Sequence, residues 1–248
     1  MPGLDWLTAR PIAHRGLHDA SVGIVENTAS AVKAAMAGDY GIEVDLQISS
    51  DGEAMVHHDD ALGRLTEGAG ALAAITAADL KRVPFKATAD RMMTLGELCD
   101  LVAGRVTMLL ELKSRFDGDL RVAARTAQVV ASYAGPVAAM SFDPALVSTI
   151  RMLAPQLVRG IVAERYYTHA EWGALPTSKK RSLAFLLHAP STRPAFLAYH
   201  LNDLPAAPAW IARHMFGLPL LTWTVRTPAD RLRAMRWADQ MIFEGFRA

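Results

Sequence analysis

Glu43 and Asp45 stand two residues apart in a run from Gly41 to Ile48 that alternates strictly. Ile42, Val44, Leu46 and Ile48 fall on one face of a strand, and Glu43, Asp45 and Gln47 on the other. The two carboxylates then point the same way, about 7 Å apart along the strand, and can reach one cation together. Asp51-Gly52 is a hairpin signal that turns Glu53 to Val56 back beside this strand and delivers His57, His58 and Asp59 near the carboxylates. A second strand, Val106 to Lys113, carries Leu109, Glu111 and Lys113 on one face and Met108, Leu110 and Leu112 on the other. A strand this apolar is buried on both sides, with its charges only at the C-terminal end. His14 ends a third, short strand, Pro11 to Gly16, and shares a face with Ile12.

Glu43, Asp45 and Glu111, facing inward from neighbouring strand ends, raise one another's pKa unless a counter-charge is present. A divalent cation supplies it, and an all-oxygen donor set favours a hard ion, Mg²⁺, Ca²⁺ or Mn²⁺, over zinc. Arg15 and Lys113 either neutralise the carboxylates or meet an anionic substrate. Histidines flanking a cation-bound phosphate would move protons at neutral pH, one as base and one as acid, and His14 with His58 fit that pattern. Strand phase leaves His57 and His58 open, since Met55 and His57 share one face and Val56 and His58 the other. Lys113 beside carboxylates stays protonated, which disfavours Schiff-base chemistry.

The elements that must hold these residues alternate. A helix over 29–37, capped by Asn27 or Thr28, separates the His14 strand from the Glu43 strand, the unit of a parallel sheet. Residues 60–104 interrupt the alternation with a loop and short helices at 76–82 and 94–102; the second opens on Thr94-x-x-Glu97, a capping-box pattern. Helices are expected near 119–133, 144–153, 177–188, 206–216 and 228–238, and strands near 136–142, 158–162, 195–201, 220–225 and 240–243. Leaving out the hairpin strand, eight strands result, near 12, 43, 110, 139, 160, 198, 222 and 241. The expected fold is α/β, a (β/α)8 barrel in one domain over 1–248, with an insertion after the second barrel strand.

The 248 residues suit such a barrel, and 51% hydrophobic residues suffice for its core. Twenty-six Lys and Arg against 25 Asp and Glu give a net charge of +1, scattered without blocks, which argues for neither a nucleic-acid nor a membrane-surface partner. The lone Cys99 rules out an internal disulfide and reads as a buried small hydrophobe. The opening ten residues lack a signal-peptide core and no apolar run is long enough to span a membrane, so a soluble, cytoplasmic protein is expected. Moderately apolar surface helices could pack into a homodimer.

The ordered set His14-Arg15-Gly16, Glu26-Asn27-Thr28, Glu43-x-Asp45, Asp51-Gly52, Val56-x-His58-Asp59, Glu111-x-Lys113, Ser141-Phe142 and Trp223-Thr224-Val225 resembles the glycerophosphodiester phosphodiesterase family from residue 11 to about 244. The resemblance implies a (β/α)8 barrel, a divalent metal on Glu43, Asp45 and Glu111, and His14 with His58 as the acid–base pair. It further implies phosphate binding by Arg15 and Lys113, and hydrolysis of a glycerophosphodiester to an alcohol and glycerol 3-phosphate. Trp223 would pack on the glycerol moiety or fill core. The chain departs from the family at Val25, Ser49, Arg226 and the stretch Ala238 to Gly245; Arg226 and Glu244, near the last two strand ends, are placed to reshape the pocket around the head group. Two other readings use the same residues: a lysophospholipase D-like enzyme, with an apolar rim from Leu62 to Ala78 and Phe85, and a barrel that binds phosphodiesters without turnover.

Overall fold

A computed structural model describes residues 3–169 and 172–248. Met1 and Pro2, part of the opening segment considered above, lie outside the described residues. In chain order the elements are α1 (Asp5–Thr8), β1 (Ile12–Ala13), α2 (Ala29–Ala37), β2 (Gly41–Ile48), β3 (Ala54–Val56), β4 (Ala61–Leu62), β5 (Gly70–Ala71), α3 (Ala77–Leu80) and α4 (Leu95–Val102). There follow β6 (Met108–Leu112), α5 (Arg121–Val130), β7 (Val137–Ser141), α6 (Pro144–Leu153), β8 (Val158–Ala163), α7 (Thr177–Ala184) and α8 (Ala189–Thr192). The chain ends with β9 (Phe196–His200), α9 (Ala207–Phe216), β10 (Leu220–Val225), α10 (Pro228–Trp237) and β11 (Gln240–Phe243).

Eight strands pair in parallel in the order β1, β2, β6, β7, β8, β9, β10, β11, and β1 pairs with both β11 and β2, closing the barrel. The predicted hairpin forms as an antiparallel pair of β2 and β3, with Leu46 opposite Val56. Inner positions are filled by Leu109, Ala138, Met140, Val162, Ala198 and Leu221, the layered packing of a barrel interior rather than a pore. Phe196 takes a large share of that interior; a Cβ at Gly160 would lie 2.3 Å from its ring, so only glycine fits there. The outward faces of β2 and β6 (Val44, Leu46, Leu110, Leu112) meet α2, α4 and α5.

Helix starts follow their polar caps. Thr28, not Asn27, caps α2, and Thr94 with Glu97 forms the expected capping box on α4. Three local expectations are corrected. Residues 60–104 hold a two-stranded ribbon, β4 with β5, where a loop was expected. Leu72, Leu80, Phe85 and Met92 turn inward with Val25 and Met55 as a small core of their own instead of forming an apolar rim. The helix expected over 177–188 stops at Ala184, because Leu186 adopts a left-handed conformation (φ 54°) that turns the chain before α8.

His188 sits at that break with both ring nitrogens buried and without hydrogen-bond partners. Burial, helped by Lys179, pushes its pKa down to about 4. The unfolded chain therefore binds a proton below about pH 6.5 that the folded chain resists until about pH 4. Stability linked to this residue is complete above that window and lost as pH falls through it, on the order of 2 kcal/mol for a partly exposed ring. In His188→Leu, the fall in Tm between pH 7 and pH 4.5 should shrink; equal falls in the two proteins would contradict this.

Candidate active site

The register of β2 on β6 sets Asp45 beside Glu111 and Glu43 beside Leu109, so all three carboxylates emerge on the barrel's inner face at its C-terminal end. They are buried, and one oxygen from each lies within 4.8 Å of the others. Lys113 bends back over them, its Nζ 2.8 Å from Asp45 Oδ1 and 2.7 Å from Glu111 Oε1. Asp45 also faces Arg15 Nε at 3.3 Å and accepts a hydrogen bond from Asn27 Nδ2 at 2.8 Å. Burial raises the Asp45 pKa, but Lys113, His58 and Arg15 outweigh it and hold the carboxyl below its usual range. Burial opposes the charge on Lys113, and Asp45 and Glu111 more than restore it.

Glu43 is compensated only in part: Lys113 and the Arg15 backbone favour its charge but do not outweigh what opposes it. The Arg15 backbone N–H donates to its Oε2 at 2.9 Å, while its Oε1 is buried without a hydrogen-bond partner. Burial and then repulsion from Asp45 and Glu111 push its pKa well above the usual carboxylate range. A buried three-carboxylate cluster, short of positive charge at one member and with an unpartnered oxygen, fits a hard divalent cation.

The turn after β1 brings the first histidine in. Arg15 (φ 56°) and Gly16 (φ 78°) are both left-handed, and a Cβ on Gly16 would meet Ala31 at 2.8 Å, so glycine is required where the turn crosses α2. His14 Nδ1 lies 2.5 Å from Glu244 Oε2, and its Nε2 is 3.9 Å from Glu43. Arg226 Nε donates to the other Glu244 oxygen at 2.6 Å. Burial lowers the His14 pKa against the pull of Glu244, which favours a neutral ring with Nδ1–H given to Glu244 and Nε2 free.

The second histidine is His58. It lines a cavity of about 230 Å³ together with His14, Arg15, Glu43, Glu111 and Lys113, and with Trp223 and Arg226. His57 is buried instead, its ring 6.3 Å from that of Phe85. His58 Nδ1 lies 2.8 Å from Asp59, which Arg64 grips through Nε at 2.6 Å and a second nitrogen at 3.0 Å. Each histidine thus leans on a carboxylate that an arginine holds. Trp223 is both packing and wall: it donates to the Ala198 carbonyl at 3.2 Å and stands edge-on to Phe142 while lining the cavity.

The seven residues singled out by type and spacing, and Trp223 from the family resemblance, meet in this one place. Glu26, Asn27, Asp59 and Arg64 were not foreseen as supports. Glu26 bridges Arg15 at 2.8 Å and Arg64 at 2.7 Å. Asp59 was signalled only by its adjacency to His58, and the Glu244 contact follows from barrel closure, which pairs Ala13 with Phe243.

A family model for the glycerophosphoryl diester phosphodiesterase family matches residues 14–247. A glycerophosphodiester phosphodiesterase of Caldanaerobacter subterraneus subsp. tengcongensis is 35% identical over 111 residues, 42% of this chain and 44% of the relative. Glycerophosphodiester phosphodiesterase 1 of Rattus norvegicus is 32% identical over 117 residues, 43% of this chain and 34% of the relative. The chain thus aligns with less than half the length of these curated relatives. An Oleispira antarctica phosphodiesterase, solved with the product sn-glycerol-3-phosphate, superposes with a TM-score of 0.77 at 21% identity, covering 97% of this chain and 95% of that one. A Thermotoga maritima glycerophosphodiester phosphodiesterase gives 0.70 at 21% identity, covering 94% and 92%. These two likenesses concern the fold. The match across residues 14–247 extends over nearly the whole sequence, and the chain belongs to the glycerophosphoryl diester phosphodiesterase family.

Proposed function

We propose that the protein hydrolyses glycerophosphodiesters to an alcohol and glycerol 3-phosphate. The observation that carries this reading is two carboxylate-held histidines facing one cluster of three carboxylates and two cationic side chains across a single cavity. Family membership and the product bound to the Oleispira antarctica phosphodiesterase support the substrate class. In this reading residues 1–248 act as one barrel unit, with 60–104 as its insertion.

Glu43, Asp45 and Glu111 would hold one divalent cation, Mg²⁺ or Ca²⁺ with Mn²⁺ as a further option, which when bound polarises the phosphoryl oxygens. Arg15 and Lys113 bind the anionic phosphodiester, and Trp223 forms the wall beside the glycerol moiety. His14, neutral with Nε2 free, accepts a proton from the attacking water as the water oxygen bonds to phosphorus. The bond from phosphorus to the leaving alcohol breaks, and His58 gives that oxygen a proton. Asp59, fixed by Arg64, holds the His58 ring in place through Nδ1.

Glu244 orients His14, as a triad carboxylate orients its histidine. Glu244→Gln should lower kcat by about 10–100-fold with KM little changed, whereas a rise confined to KM would place Glu244 in head-group binding.

Because the insertion turns its apolar residues into their own core, no acyl-chain rim is formed by them, which favours a deacylated substrate over a lysolipid. The test is product release from glycerophosphocholine and from lysophosphatidylcholine under the same conditions. Glycerol 3-phosphate from the first alone is expected. Turnover of the lysolipid alone would favour the lysophospholipase D-like reading, and turnover of neither would leave a phosphodiester-binding barrel.

A further inference from the structure

The net charge of +1 conceals a division of the barrel into two oppositely charged halves. Residues 1–143 hold thirteen Lys and Arg against nineteen Asp and Glu, and residues 144–248 hold thirteen against six. Strands β1, β2, β6 and β7 follow one another around the barrel, then β8 to β11, so the two sequence halves are two spatial halves. The basic half also carries the exposed apolar groups. Of thirteen exposed large apolar side chains among the described residues, eleven lie there.

Four of these eleven line one groove where α7 breaks. With the helix stopping at Ala184, the chain between α7 and α9 leaves a groove of about 630 Å³ on the outer wall, floored by Leu197 and Leu218 and lined by apolar residues throughout. Phe185 (63% exposed), Leu187, Ile211 and Phe216 (73% exposed) stand on its rims, with Met215 beside them. Arg181, one helical turn from Phe185, and Arg193, next to Pro194 of the lining, are exposed and make no ion pair among the described residues.

We propose that this wall is a peripheral docking surface for an anionic phospholipid bilayer. Exposed aromatic and aliphatic side chains bordered by unpaired arginines match an interface whose headgroups are negative and whose interior is apolar. A second copy fits less well. Face-to-face pairing sets two basic walls against each other, and head-to-tail pairing sets the apolar wall against the half that exposes two such groups. The contact is reversible and superficial, because no helix among the described residues is long and apolar enough to cross a membrane. It does not rest on the proposed hydrolysis and is read without it.

The full chain is sedimented with vesicles of phosphatidylcholine alone and of phosphatidylcholine with 30% phosphatidylglycerol, at about 0.05 M and 0.5 M salt. Binding is expected to the anionic vesicles at low salt and to fall at high salt. Arg181→Ala with Arg193→Ala should weaken partitioning about fivefold per charge removed. Phe185→Ser with Phe216→Ser should weaken it at least tenfold; both side chains are exposed, so unchanged circular dichroism and Tm are expected. Three results would each overturn the proposal: no binding to anionic vesicles, equal binding to both compositions, or binding indifferent to the Phe185 and Phe216 changes, the mark of polyanion adsorption. An oligomer in sedimentation velocity that the phenylalanine changes dissociate, with no vesicle binding, would assign the wall to a second copy instead.

Discussion

Exchanging Glu43 for glutamine should make the metal-free protein more stable and leave it inactive. Glu43 sits against Asp45 and Glu111 with one oxygen unpartnered, and its pKa is raised by burial and by those like charges. A carboxyl whose folded pKa is raised stabilises the fold fully below its unfolded pKa and loses that contribution as pH rises through the folded value. Near neutral pH its ionisation is therefore a cost, and glutamine of nearly the same shape removes it, a gain of about 0.5–2 kcal/mol. For a chain of this size that is a rise in Tm of roughly 2–6 °C, measured in excess chelator. The wild type should gain further stability on adding Mg²⁺ or Ca²⁺, about 2.7 kcal/mol at a hundredfold excess over Kd, and Glu43→Gln should not. Asp45→Ala makes the contrast. It strips a fully buried carboxylate from Lys113 and Arg15 and should cost about 3–5 kcal/mol. If Glu43→Gln were less stable than wild type in chelator, the cluster would be a neutralised structural network and not a site kept under charge repulsion for a cation.

His14→Ala and His58→Ala should each lower kcat by about 10²–10⁴-fold, the usual range for general acid–base groups. Their effects should not add, because the two protons belong to one displacement. Neither change should unfold the protein, since both rings border the cavity. His57→Ala separates position from identity. His57 is a buried neighbour of Phe85 and should lose stability with kcat held within about an order of magnitude. Comparable losses of kcat in His57→Ala and His58→Ala, both folded, would mean that the orientation of the 57–59 segment is wrong.

The parts of the site readable from sequence were those whose chemistry and periodicity coincide. Glu43 and Asp45 announce themselves because a two-residue period puts them on one face of an otherwise apolar strand. Glu111 and Lys113 do so because charge appears only where a buried strand leaves the core. The supports were harder to read because their partners are distant in the chain. Glu244 reaches His14 only through closure of β1 on β11, and Glu26 joins Arg15 to Arg64 across two loops. Most strands were foreseen to within two residues, since apolar runs bounded by turn residues mark them. The strand holding His14 was an exception: only Ile12 and Ala13 pair, because the chain turns left-handed at Arg15. The break at Leu186 left no such mark; 177–188 has helical composition throughout, and tertiary packing decided where it stops. The charge division was hidden for a simpler reason, since two halves of opposite sign sum to nearly zero.

The most direct measurement is the rate of glycerol 3-phosphate release from glycerophosphocholine by the wild-type protein, in Mg²⁺, Ca²⁺ or Mn²⁺ and in excess chelator, beside Glu43→Gln. Release with at least one of these ions, abolished by chelator and absent from Glu43→Gln under every condition, is the predicted result. Release that persists undiminished in chelator, or in Glu43→Gln, would contradict a cation held by Glu43, Asp45 and Glu111.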